Sequence, residues 1–423
     1  MNFKPGGLLM PTIRNKIGVL FAFVIVFFIS TFPVLAQRDP LVQLLIKKGI
    51  ITEQEIAQME KELAQTPGKE EAPRVDLAKA TSKLKIKGRA ALGYFDSGKS
   101  GSYPSGSFEV PEAKIQFGFE PDKYNTFILR ANLNNAVFNN LDYFYLDSKD
   151  FLPFLEDKPV KLSSRMGRFK LDLGEETWSN NPVEGALIST SAANASGSDE
   201  GLQLNLAIGD KKRPLKVTGA ITNGVTGVGS DTTGPKAFTG KISYRFFDPF
   251  YMSTSYHHSG DLKASNSEAS IGGLVTRPTN ALKWDRQVWE IDARYDLEPG
   301  KTMDPSAYSD SLAYLKLAYG QFYDNAQPMA DRDGNYGFVE GLWNITDKIY
   351  TAHRSSFIDL DGNTTAAFNS VTANKYTRYS FGLGYRLTDA ALLKTEYSIN
   401  RASKTTTGDP HDNQFATVVS AQF

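Results

Sequence analysis

The stretch that decides the fold is the last one, Asn413-Gln414-Phe415-Ala416-Thr417-Val418-Val419-Ser420-Ala421-Gln422-Phe423. Phe415, Thr417, Val419, Ala421 and Phe423 fall on one face of an extended strand, and Gln414, Ala416, Val418, Ser420 and Gln422 fall on the other. Any half-buried strand alternates in this way. The aromatic residue on which the sequence stops sets this one apart.

Working back from that stretch, the period of two holds as far as Leu84. Sixteen strands with consistent direction are expected near 83–95, 107–119, 125–138, 140–148, 161–173, 201–209, 214–222, 237–247, 249–258, 284–297, 309–323, 335–344, 347–358, 375–387, 390–401 and 412–423. Short connections at 120–125, 210–213, 247–249, 344–348 and 387–390 are rich in Asp, Pro, Asn and Lys, as turns are. Longer Gly/Ser/Asn/Thr connections alternate with them at 96–106, 174–200, 223–236, 259–283, 324–334, 359–374 and 402–411. The segment at 140–148 is the least distinct, which leaves fourteen or eighteen strands as alternatives.

Several strands separate their charges from their apolar residues. Leu84, Ile86, Ala90 and Leu92 oppose Lys85, Lys87 and Arg89. Trp289, Ile291, Ala293 and Tyr295 oppose Glu290, Asp292 and Arg294. Tyr379, Phe381, Leu383 and Tyr385 oppose Ser380, Gly382, Gly384 and Arg386. Leu393, Tyr397 and Ile399 oppose Lys394, Glu396, Ser398 and Asn400. A soluble β-protein buries the apolar face. A membrane barrel turns it outward, because a charge on the lipid face costs roughly 2–4 kcal/mol near the midplane. Periodicity alone does not distinguish these inversions.

The N-terminus does. Arg14 and Lys16 precede an almost wholly apolar stretch, 17–35, and Val34-Leu35-Ala36 suits a signal peptidase, so residues 1–36 are expected to be an export signal and Gln37 the mature start. The alternative is a transmembrane anchor, for which the stretch is long enough. With no Cys after the site, a lipoprotein is excluded. The chain has no Cys at all, so an exported fold must be held by something other than disulfides, and a closed strand ladder is one such device. No long apolar run follows the leader, which argues against helical spans. Forty-seven basic and 47 acidic residues cancel to a formal net charge of zero, so nothing points to nucleic acid.

Residues 37–65 read as helical. Leu41, Leu44, Leu45 and Lys48 end at Gly49; Thr52 with Glu55 forms a capping box, and Ile56, Met59 and Leu63 form a stripe. This is either a small periplasmic helical pair or a coiled coil that assists trimerisation. Residues 66–82 are a charged, Pro-containing linker. The expected fold is therefore all-β: a transmembrane antiparallel β-barrel of about sixteen strands over 83–423, behind a short periplasmic helical segment.

Two resemblances sharpen this. The alternating terminal strand ending in Phe423 resembles the closing strand of bacterial outer-membrane barrels, in which that residue belongs to the signal read by the barrel assembly machinery. The run Leu41-Val42-Gln43-Leu44-Leu45-Ile46-Lys47-Lys48-Gly49 with Thr52-Glu53, the strand Gly167-Arg168-Phe169-Lys170 before a long loop, and Leu387-Thr388-Asp389-Ala390 resemble the phosphate-selective porin family of Gram-negative bacteria. The family implies a sixteen-stranded, trimeric, passive channel for anions in the outer membrane. Its surroundings would be outer-membrane lipid and lipopolysaccharide, and its cargo small hydrophilic solutes or anions.

Anion preference needs fixed positive charge along the pore. Strand phase places Lys85, Lys87, Arg89, Lys114, Arg130, Arg168, Lys170, Lys216, Lys241, Arg245, Arg294, Lys316, Arg386 and Lys394 inward, against the acids Glu290, Asp292 and Glu396. The bland alternative is that these cations merely pair with nearby acids. The 174–200 loop is a candidate constriction. It holds Glu175, Glu176, Glu184, Asp199 and Glu200 and no Lys or Arg, which departs from a strongly phosphate-selective pore and suggests a transverse field instead. The loop staying outside, against lipopolysaccharide, is the alternative.

Two further readings compete. His353 and Ser355 share a strand face, the pairing an outer-membrane lipase would use with an orienting Asn363 or Asn369. A structural barrel plugged by its loops is the other. No cofactor or metal is expected: His257 and His258 point to opposite faces, and neither a zinc spacing nor a Gly-rich phosphate loop is present.

Overall fold

A strand in lipid must have each backbone N–H and C=O paired, and only a closed sheet leaves no edge. The computed structural model meets that condition with sixteen long strands in one antiparallel ring. They are β1 (Leu84–Ser97), β2 (Ser107–Phe119), β3 (Asn125–Asn132), β4 (Asn140–Lys149), β5 (Val160–Lys170), β6 (Ser198–Ile208), β7 (Leu215–Thr222), β8 (Ala237–Phe247), β9 (Phe250–His258), β10 (Lys283–Leu297), β11 (Ala313–Gln327), β12 (Arg332–Asn344), β13 (Ile349–Leu360), β14 (Lys375–Thr388), β15 (Ala391–Ser403) and β16 (Gln414–Gln422). Each pairs with its sequence neighbours, and β1 pairs with β16 from Arg89↔Gln422 to Ser97↔Gln414. Gly88 and Phe423 extend that seam by exchanging backbone hydrogen bonds of 3.1 and 2.9 Å. A two-residue strand, Leu262–Lys263, adds to the free end of β10.

The structure describes residues 83–423 except 135–139, 151, 153–154, 156–157, 211, 226–233, 264, 267–268, 277, 279, 299–310, 362–365, 369–370 and 404–411. The expected signal peptide 1–36, helical segment 37–65 and linker 66–82 lie outside the described residues.

The expected strands match, with three instructive differences: β3 ends at Asn132 rather than 138, where Asn134 Oδ1 instead accepts from Ala113 N of β2 at 2.5 Å. β5 ends at Lys170 rather than 173. Phe169, Leu171 and Leu173 keep the strand period, but Leu171 and Leu173 bury completely inside the barrel instead of continuing the wall. β11 and β12 run further than expected, so the connection between them is four residues, 328–331, and not a long loop.

The two faces are inverted relative to a soluble sheet. Phe108, Met166, Ile221 and Trp343 are each 58% exposed on the outer face, whereas Arg286 is fully buried and Asp292, Arg294 and Lys394 are 2% exposed within. This is the arrangement demanded by hydrocarbon outside and polar groups inside. No described helix is long and apolar enough to cross a membrane.

Candidate functional site

The interior is the candidate site, and its most consequential element is the segment 171–197, which leaves β5 and runs inside the barrel. Three kinds of contact hold it there. Its carboxylates meet wall cations: Asp172 and Glu175 each lie 2.9 Å from Lys241 Nζ, Glu176 lies 3.2 Å from Arg354, and Glu184 lies 2.6 Å from Arg89. Its amides meet wall acceptors: Gly174 N donates to Ser255 Oγ (3.0 Å), and Ile188 N and Ser189 N donate to Glu396 Oε2 (2.5 and 2.9 Å). Its carbonyls accept from wall donors: Lys394 Nζ reaches Pro182 O (2.8 Å) and Gly185 O, Tyr350 Oη reaches Ala186 O (2.9 Å), and Arg378 reaches Thr190 O (3.0 Å).

The entry of this segment depends on Gly174. Its φ is +61°, and an added Cβ would lie 2.1 Å from Glu290 Oε1. Only glycine combines that backbone with that approach.

A second segment packs on the first. Ser196 and Gly272 exchange backbone hydrogen bonds of 3.3 and 2.9 Å, and Asn194 N donates to Gly273 O at 3.0 Å. Arg286, ion-paired with Asp324 at 2.7 Å, donates to Val275 O (2.8 Å); Arg332 shares that carboxylate and donates to Thr276 O (2.5 Å). Between the two segments and the wall lies an apolar core of Phe169, Leu171, Leu173, Ile271, Leu274, Val275, Val288, Phe322, Ile358 and Leu360. So the barrel carries a hydrophobic core within its lumen, built by loops against β10–β14.

The wall cations of β1–β5 stay more accessible, although the inward segment meets this strip at Arg89 and Lys170. The side chains of Arg89, Lys114, Arg130 and Arg165 keep 12, 15, 13 and 18% of their exposure, against 0–6% for Arg286, Arg294, Lys394, Arg354 and Lys241. Three cations on this strip sit over aromatic rings: Arg130 over Tyr143 (3.7 Å), Arg165 over Tyr145 (4.4 Å) and Lys170 over Trp178 (5.4 Å).

The sequence-derived lumen set falls into distinct groups. Arg89, Lys114, Arg130 and Lys170 line the accessible strip. Lys85, Lys87 and Lys216 are exposed near the ends of β1 and β7, Lys85 pairing with Glu120 at 2.6 Å. Lys241, Arg294, Lys316 and Lys394 are buried. Arg245 reaches Asp248 O at 2.5 Å and Asp296 at 3.9 Å, and Arg386 reaches Asn344 Oδ1 at 2.8 Å, both at the short-turn end.

Arg168 is a correction. Its register partners are Phe144 on β4 and Glu200 on β6, and it shares phase with Met166 and Leu202, all of the outward face. It pairs with Glu200 at 2.9 Å on the barrel exterior. The inward phase of β5 is that of Arg165 and Phe169, so Arg168 falls on the other; Lys170 shares its phase but sits at the strand end, where its Nζ meets Asn180 Oδ1 of the inward segment at 3.2 Å.

The acids are also redistributed. Glu290, Asp292 and Glu396 are inward and buried as expected. Phase alone missed Glu112, Asp142, Asp296, Asp324 and Glu340, each of which holds a wall cation. Glu175 and Glu176 are buried against the wall; Glu184 keeps 37% side-chain exposure. Asp199, on β6, is fully buried and accepts from Gly224 N at 2.6 Å. Attention to His353 and Ser355 also passed over Arg354, which lies between them on the opposite, inward phase.

His353 and Ser355 both face outward. His353 Nε2 hydrogen-bonds Thr351 Oγ1 at 3.0 Å and its ring packs edge-on to Phe381. No hydrogen bond joins it to Ser355 among the described residues, and Asn363 and Asn369 lie outside them.

No protein-family model and no curated sequence matches the chain. Among solved structures it is similar to the outer-membrane channel DcaP of Acinetobacter baumannii, with a TM-score of 0.55 and 11% identity over 80% of this chain and 97% of that one. It is similar to OmpT, an outer membrane protein of Vibrio cholerae, with a TM-score of 0.54 and 12% identity over 80 and 97%. OmpF of Salmonella typhi gives 0.51 and 13% identity over the same shares. At such identities the likeness establishes the fold: a closed antiparallel barrel of the kind these outer-membrane proteins share.

Proposed function

We propose that the protein is a passive diffusion channel of the Gram-negative outer membrane, exported by its leader and assembled as a homotrimer. It passes small hydrophilic solutes with a mild preference for anions. One observation carries the reading: charges line the inside of a closed barrel, and Arg89, Lys114, Arg130 and Arg165 form a basic strip on β1–β5 that is less buried than Lys241, Arg286, Arg294, Arg354 and Lys394.

Transport is movement down a gradient. The strip's cations raise the local anion concentration, and the segment 171–197 limits solute size by occupying part of the cross-section. The preference is mild because the cations are shared with carboxylates. Arg130 and Lys114 both lie near Asp142, at 2.7 and 3.1 Å, and Arg89 lies 2.6 Å from both Glu112 and Glu184. A site that strips water from phosphate would need less compensated charge, so phosphate has no special standing in this reading.

Single-channel recording of the refolded protein in a planar bilayer under a KCl gradient tests this. Stepwise conductance with an anion-favouring reversal potential is expected. Folded protein without steps would overturn the channel, and a cation-favouring potential would overturn the role of the strip.

A further inference from the structure

On the outer face of β9–β12, near the end of the barrel where β9 leads into the 259–282 connection and β11 turns through 328–331 into β12, the belt of apolar side chains is interrupted. Tyr256, Trp289, Gln321 and Asn335 are successive register partners across the four strands. Gln287 and Asp333 stand one step further along, and the groove between these rows has a volume of about 290 Å³. Tyr256 and Trp289 are 39 and 38% exposed, so both rings are available from outside.

Part of the polar set is already arranged. Gln321 Nε2 and Tyr319 Oη both donate to Asn335 Oδ1, at 2.9 and 2.8 Å, and Tyr256 Oη donates to Gln287 Oε1 at 3.3 Å. These bonds fix the amides and leave Gln287 Nε2, Asn335 Nδ2 and Trp289 Nε1 as donors and Gln321 Oε1 as an acceptor, none with a partner among the described residues. In hydrocarbon such groups would be costly, so the groove needs a polar occupant.

We propose that this groove binds a sugar ring of an outer-leaflet glycolipid. Exposed indole and phenol rings offer faces to the C–H side of a pyranose, and the fixed amides offer donor and acceptor to its hydroxyls. The acid Asp333 at the mouth disfavours phosphate and favours a neutral or amino sugar. Leu317 and Val339, 42 and 48% exposed, lie towards the middle of the same strands and provide an apolar surface for the acyl chains beneath. The inference rests on the reading that the barrel sits in the outer membrane, but not on its being a channel.

The test uses the purified full chain, with native mass spectrometry after incubation with core-bearing lipopolysaccharide, with phosphatidylethanolamine, or with lipopolysaccharide plus released core oligosaccharide as competitor. Wild type is expected to retain lipopolysaccharide at least tenfold better than the phospholipid, and the oligosaccharide to displace it. The double variant Gln321→Ala/Asn335→Ala and the single variant Trp289→Leu are each expected to lose most of that retention. Heat-shifted gel migration and planar-bilayer conductance report folding, and both should stay as in wild type because the residues lie outside the lumen. Equal retention by folded variants, or no competition by oligosaccharide, overturns the sugar site. A change in oligomer mass in the variants overturns it in favour of contact between copies of the chain. Loss of conductance in wild type with sugar binding intact would strike the channel reading alone.

Discussion

Arg354 of β13 meets Glu176 of the inward segment across 3.2 Å, and both side chains are buried. The same guanidinium binds Glu340 of β12 through Nε at 2.8 Å and donates to Ser189 O at 3.0 Å. One wall residue therefore ties two points of the segment to two strands. Glu176→Gln keeps an acceptor but removes the charge, and is expected to cost about 1–3 kcal/mol of stability. Single-channel recording should show a larger and noisier conductance. An unchanged current would mean that segment 171–197 does not limit the pore.

Gly174 gives a backbone test of the same idea. Gly174→Ala forces a Cβ towards Glu290 at a positive φ, with an expected cost of about 1–3 kcal/mol. Protease cleavage within 171–197 should accelerate. Gly219→Ala, where an added Cβ meets nothing within 4 Å, should leave cleavage unchanged and serves as the control.

Selectivity should follow the accessible strip and not the total of inward charges. Reversing Arg130 to Glu changes the field inside the pore. An attraction of about 1 kcal/mol in water becomes a repulsion of the same size, so the local anion concentration falls about thirtyfold, and the reversal potential moves towards cations. Arg168→Glu on the exterior should leave the reversal potential where it is, while weakening the barrel by placing two acids together. Equal effects of the two variants would contradict the outward placement of Arg168.

The inversion of faces predicts opposite tolerance to charge. Leu317→Lys faces lipid and is expected to cost about 2–4 kcal/mol, whereas Asn205→Lys, half-buried on the inward phase of β6 with Ser163 and Thr218 as its register partners, should cost far less. Urea unfolding of the two variants from lipid vesicles compares them directly.

The sequence was a good guide to strands and a partial one to the site, for a local reason. Pairing Tyr295, Ala293 and Ile291 on one face against Arg294, Asp292 and Glu290 on the other requires only the pleat, so faces and turns follow from residue order. Arg168 failed because it shares a phase with Met166 in a strand whose neighbour, Gly167, adopts a φ of +126°. The motif around it was read without its partners Phe144 and Glu200.

Residue order by itself determined where most strands run, their direction and, once the leader and the terminal strand point to a membrane, which face turns inward; it left fourteen or eighteen strands open, and the closed ring settled sixteen. It did not determine what fills the barrel. Leu171 and Leu173 look like wall residues in sequence, and Glu175 and Glu176 look like a free acidic lip. Only the closed ring brings Lys241, Arg354 and Glu396 within reach of one segment, from strands far apart in the chain, and only then does burying those leucines beside Ile271 and Ile358 become more favourable than extending β5. Alternation is set by neighbours two residues apart, whereas the pore is set by contacts across the barrel.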